Sequence, residues 1–87
     1  LENLRMRATG KNQAYVYFDS PLTGLASIRF KKSGEIGSEP INLIVEGKSV
    51  TAVDVELVSG QREYVLVTFA DKNVDFAIEA EAHEINN

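Results

Sequence analysis

Apolar and polar residues alternate with a period of two along most of the chain. That is the spacing at which successive side chains of a strand point to opposite faces of a sheet. Ala14, Val16 and Phe18 share one phase and Tyr15 and Tyr17 the other, while Ala26, Ile28 and Phe30 alternate with Ser27, Arg29 and Lys31. The pattern predicts seven strands, at about residues 3–8, 13–19, 25–32, 41–46, 50–58, 63–70 and 74–83. Turn chemistry separates them at Gly10-Lys11-Asn12, Asp19 to Gly24, Ser33 to Pro40, Glu46-Gly47-Lys48, Ser59-Gly60 and Asp71-Lys72-Asn73. Short strands with such regular punctuation predict an all-β antiparallel sandwich.

The last segment tests that reading, because its Ala and Glu residues favour helix. Its apolar positions 74, 76, 78, 80 and 82 alternate strictly, and on a helix they would scatter among Asp75, Glu79 and Glu81 without forming a buried stripe. A strand is therefore expected. The inward set is then Ala14, Val16, Phe18, Ala26, Ile28, Phe30, Leu43, Val45, Val53, Val55, Leu57, Val74, Phe76 and Ile78. The outward set includes Tyr15, Tyr17, Ser27, Arg29, Lys31, Asp54, Glu56, Asp75, Glu79 and Glu81. The sixth strand is apolar on both phases, Tyr64/Leu66/Thr68 and Val65/Val67/Phe69, which predicts a central position in its sheet and leaves its phase open.

Eighty-seven residues make one domain with a single modest core. The chain opens on Leu, so the expectation is one module, residues 1–87, excised from a larger multidomain protein. A net charge of −4, with close basic groups only at Arg5/Arg7 and Arg29/Lys31/Lys32, argues against sequence-independent nucleic-acid binding. No apolar run approaches bilayer-spanning length, so no membrane insertion is expected. The absence of cysteine removes disulfides and thiolate metal sites.

Four segments carry a family resemblance. Val16-Tyr17-Phe18-Asp19-Ser20-Pro21 ends a strand as the second strand of a fibronectin type III domain does, with Phe18 where Trp is usual. Ala26-Ser27-Ile28-Arg29-Phe30 is similar to that family's third-strand core, and Pro40 to Gly47 looks like its C′ strand and the following turn. Leu57-Val58-Ser59-Gly60-Gln61-Arg62-Glu63-Tyr64-Val65-Leu66-Val67 resembles the segment carrying the tyrosine corner, with Ser59 replacing Pro and one extra residue between Gly60 and Tyr64. The resemblance implies a seven-stranded immunoglobulin-like sandwich, with Leu57, Val58 and Phe69 filling the space a Trp would take. A corner role for Tyr64 implies a hydroxyl bonded to backbone near residues 57–61.

Candidate chemistry is sparse. His83, the single histidine, lies between Glu81 and Glu84 without a nucleophile beside it, and reads as a surface residue. Asp71-Lys72-Asn73-Val74-Asp75 opens like a calcium loop but has Phe76 where Gly is needed and Ala82 where Glu is needed. Asx-turn chemistry in a hairpin accounts for the same residues; a looser site would have to borrow Asp19 or Glu63. No enzyme activity, cofactor or metal site is expected.

The expected function is a non-catalytic extracellular or cell-surface module, a spacer, adhesion or protein-interaction domain whose partner is another protein or a neighbouring domain. Contacts would come from loops Ser20, Pro21, Leu22, Thr23, Gly24 and Asp71, Lys72, Asn73, expected to meet at one end of the sandwich. The exposed pair Tyr15 and Tyr17 is a second candidate surface. Two alternatives accompany this reading: a carbohydrate-binding module attached to a hydrolase, with a glycan stacking on the tyrosines, and a virion or appendage subunit pairing with its own copies.

Overall fold

Alternation becomes strand along most of the described residues, and the apolar inner positions 14, 16, 18, 26, 28 and 30 are buried. A computed structural model of the chain describes residues 1–34, 36, 39–74 and 77–85. The strands are β1 (Glu2–Ala8), β2 (Gln13–Ser20), β3 (Gly24–Lys32), β4 (Leu43–Val45), β5 (Lys48–Val50), β6 (Val53–Leu57), β7 (Gln61–Thr68) and β8 (Ile78–Ile85). One antiparallel sheet runs β1-β2-β7, a second runs β6-β3-β8, and β4-β5 is a separate hairpin.

Both sheets turn their apolar phase to one core. Ala14, Val16, Phe18 and Val67 come from the first sheet, and Ala26, Ile28, Phe30, Val55 and Leu57 from the second. Leu43 and Phe69 complete it. Phe30 meets Phe69 edge to face, with centroids 5.5 Å apart and planes at 88°, an arrangement that places ring edge against ring face.

Several boundaries differ from the periodic reading. The segment expected as one strand at 41–46 pairs only over Leu43–Val45, and the next divides into β5 and β6 with Thr51 and Ala52 between them. Among the described residues eight strands result instead of seven. In the β4-β5 hairpin Leu43, bridged to Phe69, is buried in the core and Val50 packs half-buried against it; Val45, expected inside, is exposed. The tip is a two-residue loop in which Glu46 (φ 52°) and Gly47 (φ 77°) are both left-handed, the requirement of a type I′ turn.

Strand β7 lies at the edge of its sheet, not in the middle. Its inward phase is Val65 and Val67, continued by Phe69, while Tyr64 and Leu66 face solvent. Glu63 belongs to the inward phase too, half-buried opposite Phe18. At the other edge, the register of β1 slips between Glu2 and Arg5, and Asn3 takes a φ of 55°, the mark of a β-bulge. Strand β8 starts later than expected. Val74 is part of the incoming connection, its N–H donating to Lys11 O, and the expected positions of Asp75 and Phe76 lie outside the described residues.

Because β7 runs antiparallel to β2, its start lies beside the end of β2: Ser20 pairs with Gln61 and Gln13 with Thr68. Residues 20–24 and 71–73 therefore sit at opposite ends of the molecule. The expected clustering of these two loops fails for that reason. No β7–β8 hairpin forms either, since the two strands belong to different sheets.

Candidate functional site

The outer face of sheet β1-β2-β7 gathers all three tyrosines of the chain. Leu4 and Met6 pack toward the core, which sends Arg5 and Arg7 outward. The register then lays out two rows across the sheet, Arg7–Tyr15–Leu66 and Arg5–Tyr17–Tyr64, with Asp19–Arg62 beside them. Tyr17 and Tyr64 stack with centroids 5.7 Å apart and planes at 27°. Exposure remains high for an apolar set, at 42% for Tyr15, 64% for Tyr64 and 50% for Leu66. Arg7 and the three tyrosines line an open depression.

The polar border of this face is fixed at one end. Asp19 accepts from Arg62 Nε at 2.8 Å and Nη2 at 3.1 Å, and from Asn3 Nδ2 at 2.9 Å. The Arg62 hydrogen bond first, then that from Asn3, holds the Asp19 carboxyl at a pKa of about 2. The same pairing raises Arg62. Arg7 has no such partner among the described residues, and Arg5 acts on Asp19 only through its charge.

The opposite outer face, on β6-β3-β8, has a different chemistry. Glu79 and Glu81 stand across from Lys31 and Arg29, and Asp54 across from Ser27. Lys31 bonds Glu81, which raises the lysine and lowers the carboxylate, and Ser33 Oγ donates to Glu79 at 2.9 Å. His83 is exposed opposite Ser27. This is a solvent-facing charged surface on which Lys31 and Glu81 are paired.

The loop candidates divide. Ser20, expected as a contact residue, is 2% exposed, and its hydroxyl has no partner among the described residues. Thr23 Oγ1 accepts from Ser59 N at 3.2 Å, Pro21 O from Ser59 Oγ at 3.0 Å and Ser20 O from Gly60 N at 2.8 Å. These bonds lace the β2–β3 crossing to the β6–β7 turn, where Gln61 N donates to Val58 O and Gly60 is at φ 80°. Leu22, 74% exposed, is the member left to project. At the far end, Asn73 N donates to Asp71 Oδ1 at 3.0 Å, the Asx turn expected there. Asp19 lies at the other end from Asp71 and is engaged by Arg62, so the two do not converge on a cation.

Tyr64 does not turn a corner in the core; it faces outward against Tyr17. Val58, expected as a core filler, is exposed, whereas Leu57 and Phe69 are buried. Sequence reasoning found Tyr15 and Tyr17 but not Arg5, Arg7, Tyr64 and Leu66 beside them. Their alternation with Leu4, Met6, Val65 and Val67 carried the signal for an outward phase; the pairing order that unites three strands did not show in it. Comparison of the chain with protein-family models, with curated proteins and with solved structures finds no match.

Proposed function

We propose that this chain is a non-catalytic protein-interaction module of immunoglobulin-like or fibronectin type III-like kind, working at a cell surface or outside the cell. Its working surface is the outer face of β1-β2-β7. What supports the fold reading is two antiparallel sheets, β1-β2-β7 and β6-β3-β8, around one core; it requires β6 as C′ and β7 as E, so that Pro40 to Gly47 becomes an added hairpin and Tyr64 leaves the strand to which the resemblance assigned it.

The observation that carries the functional reading is the convergence of Tyr15, Tyr17, Tyr64 and Leu66 with Arg5 and Arg7 on one solvent-facing surface. Tyr and Arg are enriched at the centres of protein interfaces because each joins a large rigid contact area to a polar end. A glycan-stacking role has weaker support, since Tyr17 and Tyr64 turn their ring faces toward each other.

The test is a selection of binders from a peptide library on the folded chain, followed by amide-shift mapping. Binders should map to β1, β2 and β7 and weaken for Tyr64→Ala and Leu66→Ala. Mapping to Leu22 and its loop would return the function to the β2–β3 crossing. Ring shifts of Tyr15 on glycan titration would favour the carbohydrate alternative.

A further inference from the structure

We infer that the partner of this face is an acidic polypeptide segment in extended conformation, carrying carboxylates at alternate positions that Arg5 and Arg7 receive. The inference rests on the reading of this face as the binding surface, and adds the chemistry of what binds.

Spacing is the first argument. Arg5 and Arg7 are two residues apart on one strand and both outward, which sets their Cα atoms about 6–7 Å apart. An extended peptide repeats its own side chains at the same interval, so a segment lying edge-on over β2 on the outer face turns alternate Asp or Glu residues toward Arg5 and Arg7 on β1. The residues between them turn the other way, toward Tyr64 and Leu66 on β7, which supply apolar contact.

Charge is the second. The arginine fork matches a carboxylate through two parallel hydrogen bonds, and this face already contains one such pair in Arg62 and Asp19. That pair is complete, whereas Arg7, at the depression lined by the tyrosines, has no counter-ion among the described residues. In a chain of net charge −4, an uncompensated basic site beside exposed aromatic rings selects an acidic partner. A second copy fits less well, because on its acidic face Arg29 and Lys31 interleave with Glu79 and Glu81 and would meet Arg5 and Arg7 with like charge.

The experiment uses the chain with three short synthetic peptides in which Glu, Gln or Lys alternates with Val and Tyr, titrated with amide-shift detection. The Glu peptide should bind at least about ten-fold more tightly than the Gln peptide, and the Lys peptide should not bind. Arg5→Gln with Arg7→Gln should erase the Glu preference, and raising NaCl from about 50 to about 300 mM should weaken the Glu complex but not the Gln complex. Equal binding of Glu and Gln peptides at this face would overturn the acidic preference while leaving the face as the binding surface. Failure of all three peptides to move the β1, β2 and β7 amides would overturn both. Concentration-dependent shifts of the same amides without peptide, with a dimer in the ultracentrifuge, would overturn the inference in favour of a second copy.

Discussion

Tyr17 and Tyr64 stack across the β2–β7 pair with centroids 5.7 Å apart, so the most exposed aromatic ring among the described residues is held by its cross-strand neighbour. Such pairs contribute roughly 0.2–1 kcal/mol beyond alanine when solvent reaches them. A double-mutant cycle of Tyr17→Ala and Tyr64→Ala should therefore give a coupling of about 0.5 kcal/mol in urea unfolding. A coupling of zero would mean that Tyr64 is free to swing, and the preformed face with it.

Asp19 provides a pH signature. Its folded pKa, about 2, lies below the ordinary 3.8, so the folded state gains stability from its ionised form above about pH 4 and loses that gain as pH falls toward 2. In Asp19→Asn the fall in stability over this window should be shallower than in the parent chain. Denaturant midpoints between pH 5 and pH 2, compared for the two chains, measure it; the Asp19 carboxyl resonance should titrate near 2.

Ser20 is the one buried side-chain hydroxyl without a partner among the described residues. A buried polar group left unpaired costs free energy that an apolar replacement of similar shape avoids. Ser20→Ala retains the backbone carbonyl that accepts from Gly60 and should leave stability unchanged or raise it by up to about 1 kcal/mol. A loss larger than that in chemical denaturation would show that the hydroxyl has a partner in solution.

The Glu46-Gly47 loop predicts a gain of a different kind. Glu46 adopts a φ of 52°, where Cβ crowds the following carbonyl oxygen and Asn is tolerated better than Glu. Glu46→Asn should raise stability by up to about 1 kcal/mol, whereas Gly47→Ala should lower it. Thermal midpoints of the two variants, moving in opposite directions, check the turn.

Legibility in the sequence stopped at the level of single strands. Ala14, Val16 and Phe18, and Ala26, Ile28 and Phe30, alternate with polar partners, so period alone placed them inside. In β7 both phases are apolar, and local pattern could not choose; Phe69 entering the core against Phe30 decides it. Pairing is a non-local property. Once β7 is seen to lie beside β2, Tyr64 joins the other tyrosines and Asp71 moves to the opposite end from Pro21. The candidate site was thus half visible: its two tyrosines followed from alternation within β2, its arginines and third ring only from the register across three strands.

Glu63 and the bulge at Asn3 have a joint consequence. A charged group in the inward phase of an edge strand, and an extra residue that bends one, both hinder the docking of another strand alongside. The sheet bearing the tyrosines has one device on each border, Glu63 on β7 and the slipped register on β1. Lateral growth into longer ribbons is thereby opposed from both sides. A molecule approaching this sheet is left to settle flat upon it, so the exposed tyrosine face is kept from seeding fibrils at high concentration.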